Sequence, residues 1–268
     1  MNEGSIWDSV DWRNSPGVGP VAVGADLNPD TLISAYMNGL YPYPPIQEEL
    51  DDLFEDRFGE SLRDGTIRSM SPGNPDFSLT WWSRDPRAVI SRHSAKAGQT
   101  LRRVIRQKGW TTTVDRCFDS VVKKCGPERG AESWLSNRMA EAFLELHRRG
   151  YAHSIEVWEN ENLVGGSMGV QVGGIFSWES AFFVQSHAGK VAVLDTLARM
   201  LAAGGELLDA QMMSPTAASV GAEEIGKGAY YDVLELQRTR AVRMSDAQLP
   251  AARLIEELAL GHQASEPQ

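Results

Sequence analysis

An acid and an amide lie at spacings that could orient an amine against a carbonyl group. One predicted strand carries Ser177, Glu179 and Ala181, and a second carries Asp209 and Gln211. Residues two apart on a strand share a face, so the members of each set are predicted to project together. If the strands are neighbours, Glu179 approaches Asp209 and Gln211 at the fixed separations that catalysis needs. Spacing alone favours the plainer alternative, in which these are polar strand-end residues bonded to loops.

Hydrophobic spacing predicts the elements that would hold these residues. Strands are predicted near 154–159, 163–172, 174–183 and 206–211, with helix 191–203 crossing over between the last two. The sequence also predicts helices 30–38, 99–107, 116–125, 137–149 and 249–260, and strands 111–114 and 233–237. Antiparallel hairpins followed by a helical crossover are typical of a mixed sheet. The predicted fold class is therefore α/β of the α+β kind, not a doubly wound parallel sheet.

Size and composition indicate an ordinary globular protein. The 268 residues suffice for one large domain or two small ones, with 42% hydrophobic and 23% charged residues. No apolar run approaches a membrane span, and the first residues lack the pattern of a secretory signal. Cys117 and Cys125 are eight apart on one predicted helix, about 12 Å and so beyond disulfide reach. We therefore expect a cytoplasmic protein that does not bind a membrane.

Charge is distributed unevenly along the chain. The net charge of −10 argues against broad, unspecific binding to nucleic acid. Residues 48–64 contain eight acids and two arginines, whereas residues 84–108 contain eight basic residues against Asp85 alone. The basic segment is either a solvated helix face or a local phosphate-binding patch, and the pattern leaves both open.

Several familiar site motifs do not occur in the sequence. It contains no GxxxxGK[ST] loop, no GxGxxG after a strand and no GxSxG elbow. The five histidines lack metal-ligand spacing, and His153 is predicted to be structural. We therefore expect no metal site, and no nucleotide-type cofactor.

Longer segments carry a resemblance to a known family. They are VAVGADLNPDTLISAYMNGLYPYP (21–44), WWSRDPRAVI (81–90), LRRVIRQKGWTTTVDRCFDSVVKKC (101–125), GYAHSIEVWENENLVGG (150–166), WES (178–180) and LDAQ (208–211). In these segments the chain resembles the leucyl/phenylalanyl-tRNA–protein transferases, which move an amino acid from its tRNA ester to the N-terminal amine of a protein. The resemblance implies aminoacyl-tRNA as donor and no cofactor.

The resemblance also implies a domain organisation. A small N-terminal domain (1–95) would precede a mixed-sheet domain (96–243) similar to the GNAT acetyltransferases, which here would not use acetyl-CoA. Residues 244–268 would form a C-terminal helix and tail. An acidic insertion at about 46–69 separates segments that are nearly contiguous in the family, and its composition predicts a mobile stretch with about one helical turn.

Site residues are carried over from the family position by position. The implied catalytic residues are Asp209, Gln211 and Glu179. The implied tRNA-binding residues are Trp134, near the terminal adenosine, and the basic residues Arg102, Arg103, Arg106, Lys108, Arg84 and Arg87. Tyr36 and Tyr43 are assigned to the acceptor side, and Ser167, Trp178, Ala181 and Ala210 to the aminoacyl pocket. In this hypothesis Gln211 holds the amine or the carbonyl, Asp209 orients Gln211 or the amine, and Glu179 holds the aminoacyl amine or the ribose.

The chain departs from the family around this site. Trp178 replaces a glycine, Ala181 a methionine and Ala210 a cysteine, and Tyr43 replaces a tryptophan. If Trp178 fills the pocket, leucine and phenylalanine are excluded, because overfilling a packed site costs about 1–3 kcal/mol. The sequence thus predicts transfer of a small amino acid, glycine or alanine, to an amine that could be a small molecule in a biosynthetic pathway.

Three alternatives stay open at this stage. The chain could be an ordinary leucyl/phenylalanyl-tRNA–protein transferase that tags protein N-termini. It could be a tRNA-binding protein without catalysis, although the acid and amide positions are intact. It could use acyl-CoA, which would need a phosphate-cradling loop before Val191, where the sequence is a poor match.

Overall fold

The structure, a computed structural model, describes residues 6–15, 17–43, 49–71 and 78–263. Its strands are β1 (Pro20–Val23), β2 (Tyr41–Pro42), β3 (Arg68–Ser69), β4 (Thr80–Trp82), β5 (Arg87–Ser91), β6 (Thr111–Val114), β7 (Ala152–Glu159), β8 (Asn162–Val172), β9 (Ile175–Phe183), β10 (Leu207–Gln211), β11 (Glu223–Ile225) and β12 (Leu249–Pro250). Its α-helices are α1 (Pro29–Met37), α2 (Glu49–Arg63), α3 (Gln99–Lys108), α4 (Phe118–Cys125), α5 (Asn137–Arg148), α6 (Ala188–Ala202), α7 (Pro215–Val220), α8 (Lys227–Gln237) and α9 (Leu254–Gln263). The predicted α+β class is confirmed.

A mixed sheet of eight strands forms the larger part of the fold, in the order β11-β5-β10-β9-β8-β7-β6-β12. β9 and β10 are parallel, and the other neighbours in this sheet are antiparallel. α6 makes the crossover between β9 and β10, as predicted, and its residues are buried along most of its length. A parallel pair needs such a crossover connection, which explains why the polar ends of β9 and β10 meet at one edge.

Helices cover both faces of the large sheet. α3, α6 and α9 pack on one face through residues such as Leu101, Leu194 and Leu254. α4, α5 and the N-terminal part of the chain share a core on the other face. Apolar residues at three- and four-residue spacing give each helix the stripe that faces the sheet. Among the described helices, none combines the length and apolar character that crossing a membrane requires.

The N-terminal part has its own small sheet, in the order β2-β4-β1-β3. Trp7 packs edge-to-face on Trp81 at 4.6 Å in its core. β5, which the predicted boundary at residue 95 places in the N-terminal domain, pairs in the large sheet. β12 also joins the large sheet by pairing with β6, although the prediction places it in the C-terminal tail. The division at residues 95 and 243 stays a prediction.

Three predicted elements differ from the structure. The helix predicted at 249–260 begins only at Leu254, after strand β12 and a 3₁₀ turn at Ala251–Arg253. The strand predicted at 233–237 is the end of helix α8, whose buried residues Tyr230, Leu234 and Gln237 follow helical spacing while Leu236 is exposed. The described part of the acidic insertion, from Glu49, contains the 15-residue helix α2 instead of about one turn. Its Phe58 packs edge-to-face on Trp82, and this apolar anchor outweighs the acidic composition. Residues 46–48 lie outside the described residues.

Candidate active site

The two polar strands separate where their predicted site residues begin. Parallel pairing of β9 with β10 ends at Asp209 opposite Ser177. Just beyond that point, a register shift against β8 leaves Glu179 as an extra residue of β9. A second shift, against β5, leaves Ala210 as an extra residue of β10, and Gln211 takes a left-handed backbone with φ of 63°. Bulges re-aim side chains, so the strand ends direct Glu179 and Gln211 into the gap.

The acid and the amide meet in this gap. Gln211 Nε2 donates to Glu179 Oε1 at 2.6 Å, and Tyr36 Oη of α1 donates to the same oxygen at 2.8 Å. Within the described part of the chain, no hydrogen bond reaches the other carboxyl oxygen, Oε2. Tyr36, predicted on the acceptor side, therefore joins Glu179 and Gln211 in one cluster with an oxygen left for a ligand.

Asp209 lies behind this pair and is fully buried at 0% exposure. Arg87 donates to it through Nε at 2.8 Å and Nη2 at 2.5 Å, and Tyr230 Oη donates at 2.9 Å. The Gln211 backbone N–H also donates to Asp209 Oδ1, at 2.9 Å. With both oxygens engaged, the carboxylate is placed to hold the backbone of Gln211 and not to contact a substrate.

Arg87 belongs to this buried cluster and not to a tRNA-facing surface. The sequence places it with the tRNA-binding residues, but its side chain is 1% exposed and points at Asp209. Burial lowers the pKa of Arg87, yet the Asp209 charge more than offsets this and raises it well above its usual value. A phosphate cannot reach this buried side chain. Arg87 is therefore the counter-ion of Asp209 and not a tRNA contact.

The Glu179 carboxyl has a pKa far above that of an ordinary glutamate. Burial raises the pKa of its carboxyl to about 8. The hydrogen bonds from Tyr36 and Gln211 oppose that rise, whereas the charge of Asp209 adds to it. A carboxyl with such a pKa exchanges a proton near neutral pH, which is the requirement for a general acid or base.

A cavity of about 290 Å³ opens onto the Glu179–Gln211 pair. Four predicted site residues line this cavity. They are Tyr43 from the acceptor side, Trp134 from the tRNA-binding set, and Trp178 and Ala210 from the aminoacyl pocket. Tyr43 and Trp134 are stacked, with ring centroids 6.4 Å apart and planes at 28°. The flat aromatic wall suits a planar group next to the acid and the amide.

A second cavity of about 350 Å³ shares the lining residues Trp178 and Ser214 with the first. Trp178 and Ala181 both line it, which contradicts the simple alternation that groups Ala181 with Glu179. The bulge at Glu179 adds one residue to β9 and so brings Ala181 to the Trp178 side. Ser167, also predicted to line the pocket, is buried, and its hydroxyl bonds Thr196 of α6 at 3.2 Å.

Three of the six basic residues predicted to bind tRNA are exposed on α3, and their role in binding stays a prediction. On α3, Leu101 and Ile105 face the core, which turns the basic residues of the helix outward. The exposed members are Arg103, Arg106 and Lys108, while Arg102 is half-buried and bonds the carbonyl of Ala97. Arg84 lies elsewhere, with its guanidinium 4.5 Å from the centre of the Trp82 ring.

Histidine spacing predicted no metal site, yet one group of possible ligands comes together. Asp115 Oδ2 lies 2.7 Å from His153 Nδ1, and Asp115 Oδ1 lies 3.8 Å from His147 Nδ1. The ligand atoms of these three residues all lie within 4.8 Å of one another. Sequence reasoning missed this group because it comes from β7, α5 and the segment after β6, and no motif links them.

Comparison with known proteins shows which family the chain is similar to. The sequence profile of the leucyl/phenylalanyl-tRNA protein transferase family matches residues 89–235. A leucyl/phenylalanyl-tRNA–protein transferase of Shewanella piezotolerans is 32% identical over 219 residues, 81% of this chain and 80% of that protein. Another, from Shewanella sp. strain W3-18-1, is 31% identical over 240 residues, 89% of each chain. This chain therefore belongs to the leucyl/phenylalanyl-tRNA–protein transferase family, and it is an aminoacyltransferase.

Proposed function

We propose that this protein transfers a large apolar amino acid, leucine or phenylalanine, from aminoacyl-tRNA to the N-terminal amine of a protein. The Glu179–Gln211 pair carries the proposal, because it places a proton-exchanging acid and an amide on the first cavity, and Trp178, next to Glu179, lines both that cavity and the second one. The names of the relatives support the donor and the acceptor class.

The size of the second cavity supports a large amino acid over a small one. The sequence predicts a small one because Trp178 could fill the pocket. About 350 Å³ nevertheless remains beside Trp178 and Ala181. Pockets for small molecules span roughly 300–1,000 Å³, so this volume has room for one large apolar side chain. The cavity therefore favours leucine or phenylalanine over glycine or alanine, with Trp178 as a wall between the two spaces.

The chemistry needs positioning and one proton transfer. The ester of aminoacyl-tRNA is already activated, and an α-amino group of pKa about 7.7–8.0 is partly neutral near pH 7. As the amine nitrogen bonds the carbonyl carbon, the Glu179 carboxylate accepts the amine proton. The protonated acid then gives that proton to the ribose oxygen as the ester C–O bond breaks. The pKa of about 8 suits both halves of this exchange.

Gln211 and Asp209 position the reactants in this proposal. The Gln211 amide donates to Glu179, so its carbonyl oxygen is left to accept from the attacking amine. Asp209 acts through Gln211, since it holds the backbone N–H of that residue at 2.9 Å. The stacked pair Tyr43 and Trp134 would receive the terminal adenosine of the donor.

A panel of charged tRNAs tests the amino acid and the acceptor together. tRNA carrying Leu, Phe, Gly or Ala is offered with a peptide that begins with arginine, and separately with a small primary amine. We expect Leu or Phe to be transferred to the peptide at least about tenfold faster than Gly or Ala, a difference of 1.4 kcal/mol, since each methylene in a pocket contributes about 1–3 kcal/mol. Faster transfer of Gly or Ala than of Leu or Phe would reject the large-pocket proposal. Transfer to the small amine alone would reject a protein N-terminus as the acceptor.

A further inference from the structure

The end of β9 exposes two large apolar side chains next to the candidate active site. Phe183, the last residue of the strand that carries Glu179, is 66% exposed, and the next residue, Val184, is 67% exposed. The backbone holds them firmly, because Phe183 pairs with Gly165 of β8 and the N–H of Val184 donates to the carbonyl of Val164 at 2.8 Å. The exposure is therefore part of the folded strand.

Cationic side chains lie close to the end of β9. Lys124 of α4 lies 6.0 Å from the centre of the Phe182 ring, and Arg129 donates to the carbonyl of Ala181 at 2.5 Å. Together with Glu128, which pairs with Lys124 at 3.3 Å, they border a cavity of about 400 Å³ that Phe183 also lines. Two cations against one anion leave this cavity with a positive balance beside an exposed aromatic ring.

The spacing from the candidate active site matches a nucleotide chain. Phe183 is four residues beyond Glu179, about 13 Å along a strand at 3.3 Å per residue. Each strand of a duplex advances about 3.4 Å per nucleotide, and at a similar stacked spacing this distance corresponds to the last few nucleotides before an esterified adenosine at Glu179. These are the unpaired nucleotides at the 3′ end of a tRNA.

We propose that Phe183 stacks on an unpaired base near the 3′ end of the donor tRNA, while Lys124 and Arg129 bind the flanking phosphates. Proteins bind single-stranded nucleic acid by stacking bases on exposed aromatic rings beside cationic side chains. The basic residues of α3 would then contact other parts of the tRNA. This inference rests on the proposed aminoacyl-tRNA donor.

The test compares Phe183→Ala with Phe183→Trp, which keeps a stacking face. Transfer is measured with aminoacyl-tRNA and with aminoacyl-adenosine, a minimal donor that has no upstream nucleotides. Stacking contributes about 1–3 kcal/mol per base, so Phe183→Ala should raise KM for the tRNA about 5- to 150-fold more than KM for the minimal donor. Phe183→Trp should restore the tRNA KM, and Val184→Ala, which removes an equally exposed residue without a ring, should not change it.

An equal rise of KM for both donors would overturn the proposal, because Phe183 would then act only at the aminoacyl group. No rise for either donor, or the same rise in Val184→Ala, would also overturn it. Binding of uncharged tRNA separates this from failure of the proposed function. Phe183→Ala should weaken binding of intact tRNA and leave binding of tRNA trimmed by four nucleotides unchanged, whichever amino acid is transferred. Equal binding of intact tRNA by Phe183→Ala and wild type would reject stacking.

Discussion

At the scale of residues, three polar side chains have different roles in the proposed aminoacyl transfer. In the proposed mechanism Glu179 exchanges the proton and Gln211 positions the reactants, while Asp209 is buried beneath them with Arg87. The spacing of Asp209 and Gln211 predicted a shared face, and the structure keeps them close through the backbone N–H of Gln211. Tyr36 could not be linked to Glu179 from sequence, since 143 positions separate the two and only the fold brings them together.

The pH dependence of Glu179→Gln tests the proton transfer. A base of pKa about 8 is inactive below that pH, where it holds its proton, and becomes active above it. With an acceptor amine that is neutral from about pH 6 to about pH 9, the wild-type rate should therefore rise through pH 8. Glu179→Gln should lose this rise and about 10²- to 10⁴-fold in rate at high pH, because general base catalysis contributes that much.

The matched control for this experiment is Glu159→Gln. This glutamate pairs with Lys108 and Gln185 and does not line the two cavities at Trp178. It should keep the wild-type pH profile. A Glu179→Gln enzyme whose rate still rises through pH 8 would show that another group accepts the proton.

At the scale of elements, alternation and helical spacing predict β7 to β10, α5 and α6 to within three residues of their observed ends. The bulges at Glu179 and Ala210 could not be predicted, because a bulge depends on which strand pairs opposite it. The prediction of a strand at 233–237 was wrong because it, too, depended on tertiary contacts. A short apolar run fits either period until the burial of Tyr230 and Leu234 against β5 and β10 selects the helix.

The bulge in β9 makes Gly169 the sensitive position of the opposite strand. A Cβ there would lie 2.1 Å from the backbone oxygen of Ser177 and 2.4 Å from the Phe176 ring. Gly169→Ala should therefore lower the free energy of unfolding by about 1–3 kcal/mol and reduce transfer, since the bulge must move. Urea unfolding followed by circular dichroism measures the first effect.

Gly228→Ala is the control for this substitution. Gly228 lies in α8, and a Cβ there meets nothing within 4 Å. Because alanine is favoured over glycine within a helix by about 0.5–1 kcal/mol, this variant should be at least as stable as wild type. If Gly169→Ala unfolds at the wild-type urea concentration and transfers at the wild-type rate, the bulge in β9 is not what positions Glu179 in the site.

At the scale of the whole molecule, the site depends on distant parts of the chain. Arg87 of β5 donates to Asp209 of β10 and to the carbonyl of Gly39, just after α1, while Tyr230 of α8 also donates to Asp209. Removing one partner of a buried ion pair costs about 3–5 kcal/mol. A substitution of Asp209 would therefore lower both the stability and the activity of the enzyme, and the two effects could not be separated.

The most direct test is therefore the single-turnover rate of amide formation by Gln211→Ala, with tRNA carrying Leu or Phe at saturating enzyme. Gln211 contacts Glu179 at the cavity and takes no part in the buried ion pair through its side chain. The proposed mechanism predicts a fall of about 10²-fold or more in this rate, with unchanged affinity for uncharged tRNA. A rate within about threefold of wild type would contradict the assignment of aminoacyl transfer to the Glu179–Gln211 pair.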